Sequence, residues 1–449
     1  MRFVVVFAFL LVSLVQLSWT LSEYDEISKS EAADFAQALR ESNDGVLHPI
    51  LFVPGLFGSR LEWKLDGKDD ENLACSHSTK GKYDQFWITI PDMLPFEDSC
   101  WIRKNKLGLT AEGHTIPQPG VDVRPAHWPL VRSVEYLTDT VGFKELAKYA
   151  HNFFQLLRGM GYTDNVNILA HPYDFRASPI DYFDPSTGVL DKFAGLVEHM
   201  YATNGNTPVV LVGHSMGVLV ATLCLGHQTQ EWKDKYIHQA VFAGGPLGGA
   251  PDLVGAVINA PGEFPLVPPV YASESTFVPA LQTWCGGIWL APDSSLLTED
   301  NLLIKHDGKD YKLSDMDEFL RTAAAAEPAV ARCFEKTRGL FTEQCENDCA
   351  PGVDLTILYG TSFKTNAQYE LIKGEFGQPL KDLKAKVTGH VIGDGTVPMD
   401  SALTLPRRWE ASGNNGHPIK FIEVLNVKHN DLVCSSAGAK TLFKAIFGQ

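Results

Sequence analysis

Gly213-His214-Ser215-Met216-Gly217 follows directly on the apolar run Val209-Val210-Leu211-Val212. A strand that passes through Gly-x-Ser-x-Gly into a helix forces the serine into a strained turn, and the two glycines leave space where any side chain would collide. Such an elbow holds the hydroxyl clear of the sheet and makes Ser215 the candidate nucleophile. A serine hydroxyl near neutral pH is a poor nucleophile, so an imidazole must take its proton and a carboxylate must hold that imidazole in the right tautomer. Where this elbow occurs, the chain order is serine, acid, histidine. Gly393-Asp394-Gly395-Thr396-Val397-Pro398 offers an aspartate between glycines, and Lys428-His429-Asn430-Asp431 follows the last strand-like run. Asp394 and His429 are the favoured acid and base, with Asp354 and Asp400 as alternative acids and His390 and His417 as alternative bases. His417 precedes the final strand and His390 lies upstream of the acid, which counts against both.

Acyl transfer passes through an oxyanion, which needs backbone N–H donors already aimed at it. One donor follows the nucleophile, giving Met216, and the other comes from the loop after an early strand. Val53-Pro54-Gly55-Leu56-Phe57-Gly58 is such a loop, and Leu56 is the second candidate donor. This chemistry requires no metal or cofactor.

These residues need a frame that brings them together. Short apolar runs bounded by turn residues recur at Pro49 to Val53, Val166 to Leu169, Val209 to Val212, Ala240 to Ala243, Leu355 to Tyr359 and Ile419 to Leu425. Helical patterns lie between some of them, over Phe143 to Arg158 and Val189 to Tyr201, and Val218 to Leu225 is apolar enough for a buried helix. Strands alternating with helices imply an α/β fold with a largely parallel sheet covered on both faces. Two stretches interrupt the alternation: residues 60–130, which carry four tryptophans, and residues 247–350, rich in proline, glycine and alanine. Insertions of that length in an α/β fold are usually functional.

Met1-Arg2 and the nearly unbroken apolar run from Phe3 to Leu17 predict a secretory signal peptide over residues 1–20. No later stretch is apolar enough to span a bilayer. In an exported chain the eight cysteines can pair, with Cys75 and Cys100, or Cys345 and Cys349, as partners by proximity. The formal charge of −16 excludes a nucleic-acid partner and repels anionic membranes at neutral pH. Protonating the 14 histidines in an acidic lumen would remove most of that charge.

The ordered blocks His48-Pro49-Ile50-Leu51-Phe52-Val53-Pro54-Gly55, Leu61-Glu62-Trp63-Lys64-Leu65, Cys100-Trp101-Ile102, Ser133-Val134-Glu135-Tyr136-Leu137, Pro172-Tyr173-Asp174-Phe175-Arg176, the elbow, Gly393 to Val397 and His429 resemble the lecithin:cholesterol acyltransferase and lysosomal (group XV) phospholipase family. The resemblance covers nearly all of the chain after the leader. It implies an α/β-hydrolase core over residues 45–250 and 350–449, a membrane-binding insertion over 60–130 closed by a Cys75–Cys100 disulfide, and a lid and cap over 247–350. By position Trp87 is then the lipid-facing anchor, and Gly248 to about Trp284 forms the lid. The implied activity is that of a secreted or lysosomal serine phospholipase and O-acyltransferase. Its partners would be a phospholipid membrane or lipoprotein surface and a lipid alcohol acceptor, sterol or ceramide. A neutral-glyceride lipase and a non-catalytic lipid-binding protein are the alternatives on the same fold. Departures from the family pattern are Leu56, where the relatives carry cysteine or aspartate, the stretch Arg124 to Trp128, and the spacing of Cys285, Cys333, Cys345, Cys349 and Cys434, which offers no clear counterpart to a cap disulfide.

Overall fold

A computed structural model describes residues 26–40, 46–65, 81–87, 102, 104–140, 144–260, 279–297, 302–343 and 346–448. The leader, Cys75, Cys100 and residues 261–278 of the expected lid lie outside these described residues.

The apolar runs form one six-stranded sheet in the spatial order Ile419–Val424, Leu355–Gly360, Ile237–Ala243, Val209–His214, Ile50–Val53, Ile168–Ala170. All of its pairings are parallel. Ile50–Val53 and Val209–His214 are buried along their whole length, as expected for central strands covered on both faces. The chain steps outward from Ile50–Val53 to Ile168–Ala170, then returns to the other side of Ile50–Val53 and continues the opposite way. The two central strands therefore flank a reversal of strand order, and the crevice at their carboxyl ends is where an open α/β sheet places its chemistry. Beneath it runs the helix Met216–Gly226, in which Met216 to Leu225 are all buried. A helix apolar on every side belongs inside the molecule.

Between Val53 and Ile168 the chain forms a three-stranded antiparallel sheet, ordered Asp84–Trp87, Leu61–Leu65, Val121–Pro125, and a short hairpin of Gly108–Leu109 with Thr115–Ile116. A second sheet, spanning the expected cap and residues beyond it, is ordered Lys309–Lys312, Leu303–His306, Phe363–Lys373, Lys384–Gly393. It packs over a separate apolar cluster with Val254, Ile304, Phe319, Leu320, Phe334 and Tyr369. This sheet reaches past the expected boundary at residue 350. The reason is the pattern of its longest strands: Thr365, Ala367 and Tyr369 point inward between solvated neighbours, a period of two that a search for continuous apolar runs passes over.

Cys285 and Cys333 form a disulfide that ties the helix Cys285–Ile288 to the helix Pro328–Thr337 within the cap. The spacing had suggested no such bridge. Cys349 is also disulfide-bonded, whereas Cys224 and Cys434 are buried free thiols.

Candidate active site

Ser215 sits between the end of Val209–His214 and the start of Met216–Gly226 with φ 54° and ψ −128°. A non-glycine residue at positive φ costs on the order of 1–3 kcal/mol and persists only where its surroundings impose it. Here the Ser215 N–H is held by the Ala243 carbonyl at 2.9 Å, and the helix behind it packs against the neighbouring strand end. A Cβ on Gly217 would lie 2.2 Å from the Val53 carbonyl oxygen and 2.5 Å from that of Pro54. Only glycine allows the elbow helix to approach the turn at residues 54–58 this closely.

The structure brings Ser215, Asp394 and His429 together. His429 Nδ1 lies 2.7 Å from Asp394 Oδ2, and His429 Nε2 lies 2.8 Å from Ser215 Oγ. The carboxylate only accepts, so Nδ1 carries the proton and Nε2 presents its lone pair to the serine hydroxyl. Asp394 is buried, and its other oxygen accepts the N–H groups of Thr396 at 3.0 Å and Val397 at 2.7 Å. These bonds satisfy an anion inside the protein and fix its orientation. The Asp394 carbonyl in turn accepts the His429 N–H at 2.9 Å, so acid and base are joined through backbone as well as side chain. Gly360 is the second glycine required by contact, since a Cβ there would meet Asp394 Cβ at 2.6 Å.

The alternative acids and bases go elsewhere. His417 pairs with Asp354 at 2.9 Å just before the edge strand Ile419–Val424 and its neighbour Leu355–Gly360 begin, at the opposite end of the sheet from the crevice, and His390 lies on the exposed face of the strand Lys384–Gly393. Asp400 is in the first turn of the helix Met399–Ala411.

Met216 opens its helix, and its N–H is among the first-turn donors that a helix leaves unpaired. Leu56 lies in the turn after Ile50–Val53, which presses on the serine closely enough that a Cβ on Gly55 would stand 3.3 Å from Ser215 Oγ. Three buried aromatic side chains hold that turn by its backbone. Tyr173 Oη–H donates to the Pro54 carbonyl at 2.8 Å, the Gly55 N–H donates to Tyr149 Oη at 2.9 Å, and the Trp87 indole N–H donates to the Phe57 carbonyl at 2.9 Å. Trp87 is therefore not a lipid-facing anchor in this structure. It is 2% exposed, stacked on Phe57 and edge-on to Phe175, because its one donor is satisfied by the turn it supports.

Sequence reasoning also missed His214, inside the elbow itself. Its Nδ1 lies 2.7 Å from Tyr149 Oη and its Nε2 3.1 Å from the His429 carbonyl. Burial, reinforced by the neighbouring His429, pushes its pKa down to about 3. Burial raises the Tyr149 and Tyr173 phenols far above their ordinary value, so both stay protonated. Only a coincidence of aromatic residues in separate blocks, Tyr149 and Tyr173, could have signalled this support.

Beside Leu56 and Phe57 a small enclosed cavity is lined by Leu253, Val257, Trp284 and Ile288, nearly all apolar. A larger cleft of about 1150 Å³ lies along Val121–Pro125 and residues 171–192 and touches none of Ser215, Asp394 or His429. Its charged groups are largely paired with one another, as in Arg124 with Glu62 and Arg176 with Asp174.

Residues 83–266 match the family model described as lecithin:cholesterol acyltransferase. The chain is similar to a lysosomal phospholipase A and acyltransferase of Bos taurus, 31% identical over 79% of this chain and 81% of the relative. It is 29% identical to a phosphatidylcholine-sterol acyltransferase of Mus musculus over 86% of this chain and 82% of that protein. A lysosomal phospholipase A and acyltransferase of Homo sapiens is 27% identical over 89% and 90% respectively.

Proposed function

The chain belongs to the lecithin:cholesterol acyltransferase family, and from that premise we propose that it is a serine phospholipase and O-acyltransferase working through an acyl-serine intermediate. The observation that carries the reading is the continuous path from Asp394 through His429 to Ser215, with both hydrogen bonds shorter than 3 Å and the serine held in an elbow. Ser215 Oγ attacks the ester carbonyl of a glycerophospholipid while His429 Nε2 takes its proton. Asp394 keeps the imidazole in the tautomer this transfer needs and stabilises the imidazolium that forms. The Leu56 and Met216 N–H groups receive the oxyanion, and His429 then returns the proton to the leaving lysophospholipid oxygen.

The acyl-serine then passes its chain to water or to a lipid alcohol, sterol or ceramide, whose hydroxyl proton goes to His429. The relatives' printed activities support both halves of the cycle. The setting is a phospholipid membrane or lipoprotein surface reached through the secretory pathway, outside the cell or in the lysosome. Among the described residues no helix is long and apolar enough to cross a membrane.

The test follows free fatty acid and acylated acceptor together, from phosphatidylcholine liposomes containing sterol and a short ceramide, at about pH 4.5 and about pH 7.5 on either side of the ordinary histidine pKa. Wild type should release acid and form an acyl ester of one acceptor, and Ser215→Ala should do neither. Equal release by Ser215→Ala would overturn the proposal. Release from triglyceride emulsion in preference to vesicles would favour a neutral-glyceride lipase instead.

A further inference from the structure

We infer that Tyr149 and His214 are positioning residues that lock the oxyanion turn and the catalytic base into one geometry through a single hydrogen-bonded chain. This rests on the reading of Ser215 as nucleophile and Leu56 as an oxyanion donor. The chain runs from the Gly55 N–H to Tyr149 Oη at 2.9 Å, from Tyr149 Oη to His214 Nδ1 at 2.7 Å, and from His214 Nε2 to the His429 carbonyl at 3.1 Å.

Its polarity is fixed at both ends. A backbone N–H can only donate and a backbone carbonyl can only accept. The Gly55 N–H therefore uses a lone pair of Tyr149 Oη, leaving the phenol's one proton for His214 Nδ1. The His429 carbonyl needs a donor, so the one proton of a neutral imidazole resides on Nε2. His214 is 1% exposed and its charged form is strongly disfavoured by burial, so no second proton is available to reverse the chain. Every proton has one acceptor, and the arrangement admits one orientation.

Two catalytic parts meet in it. One end grips the residue before Leu56, in the turn that presses on Ser215. The other end grips the backbone of His429, whose N–H is held from the opposite side by the Asp394 carbonyl at 2.9 Å. Rings packed around the chain restrict it further: His214 lies 5.1 Å from the His429 ring and 5.7 Å from that of Tyr149. A Cβ on Gly58 would stand 2.6 Å from Tyr149, so the turn and the tyrosine cannot slide past each other. Oxyanion stabilisation depends on donors fixed before charge develops, so the chain acts on the transition state and not on substrate binding.

The test compares Tyr149→Phe, His214→Leu and His214→Gln, with rates expressed per serine titrated by a fluorophosphonate. A glutamine amide offers an acceptor and an N–H donor at its two ends, so it can stand in for the neutral imidazole. Tyr149→Phe and His214→Leu should lower kcat by roughly 10- to 100-fold with KM nearly unchanged, the scale expected for a misplacement of about 1 Å. Both should weaken inhibition by a phospholipid-like trifluoromethyl ketone, which becomes tetrahedral on the serine, by a similar factor. His214→Gln should recover most of the rate, and Tyr149→Phe combined with His214→Leu should cost little more than either alone.

Wild-type kcat per titrated serine in His214→Leu would overturn the inference. So would equal damage in His214→Gln and His214→Leu, which would mark a requirement for the ring and not for its two hydrogen bonds. Should Tyr149→Phe fail to fold, the two His214 variants decide. The underlying reading fails separately: Ser215→Ala would then keep its turnover. If Ser215→Ala is inert while Tyr149→Phe and His214→Leu turn over normally, only the coupling is wrong.

Discussion

Replacing Gly217 by alanine adds a single methyl group at the point where the elbow helix meets the strand end. That methyl carbon would lie 2.2 Å from the Val53 carbonyl oxygen, 2.5 Å from that of Pro54 and 2.8 Å from the Val53 carbonyl carbon. All three contacts are backbone, so no side chain can rotate away. Reaching 3.0 Å, the least that real Cβ atoms show, requires the helix and the turn to separate by close to 1 Å. Overpacking of this kind costs about 1–3 kcal/mol of stability. The larger effect falls on catalysis, because the Met216 N–H is on the helix side of the contact and the Leu56 N–H on the turn side. A misplacement of about 1 Å in such a site costs on the order of 10²-fold in rate. Gly217→Ala should therefore fold, melt a few degrees lower, and release fatty acid from phosphatidylcholine vesicles roughly 100-fold more slowly with KM little changed. The assay is initial-rate release across vesicle concentrations together with thermal unfolding. A variant within twofold of wild-type kcat would refute the claim that the two elements form one rigid site.

Asp394→Asn should lower kcat by about 10³–10⁴-fold with little loss of fold, since the amide can hold the ring in the wrong tautomer, and the check is a full rate–pH profile. Trp87→Phe should lower kcat and melting temperature while leaving vesicle binding unchanged in a sedimentation assay, whereas a lipid-facing tryptophan would show the reverse. Paired Cys285→Ser and Cys333→Ser substitutions open a loop of sequence separation 48 and should destabilise the cap by about 4 kcal/mol, read from denaturant melts under non-reducing conditions. His214 and His171 are held neutral by burial, with pKa values pushed down to about 3 and about 4. As pH falls below the unfolded value of about 6.5, the unfolded chain gains protons at both positions that the folded chain refuses until about pH 4 and below. Stability should therefore drop with acidification, by roughly 4–5 kcal/mol from these two groups between about pH 6.5 and about pH 4.5. Denaturation midpoints across that range should show a slope that His214→Gln visibly reduces, and a flat profile would contradict it. Further acidification, below about pH 4.5, removes the contributions of Glu26, of Glu135 and of Asp139, held below their ordinary pKa values by hydrogen bonds to Lys148, against burial to His151 and Arg158, and to Arg60.

The parallel sheet was legible because its central strands are buried on both faces and so read as unbroken apolar runs, as in Ile50–Val53 and Val209–His214. Ser215, Asp394 and His429 could be picked out because their order and their glycine-rich settings follow from what an elbow and a tight acid loop require. The second sheet was not legible: Phe363–Lys373 alternates inward alanine and tyrosine with outward lysine and glutamate, and carries no apolar run. Trp87 failed for a different reason. An indole beside an expected membrane segment has the same appearance whether its N–H meets a headgroup or, as here, the Phe57 carbonyl. Tyr149, Tyr173 and His214 act through pairings 65 to 215 residues apart in sequence, and no local pattern announces such contacts.

The most direct measurement is to quench the enzyme in acid during turnover of phosphatidylcholine, digest it and weigh its peptides. An acyl ester should appear on Ser215 in the peptide containing Gly213 to Gly217, build up before the first acylated acceptor, and decay when ceramide or water is allowed to react. Turnover that proceeds with Ser215 never carrying an acyl group would contradict the account.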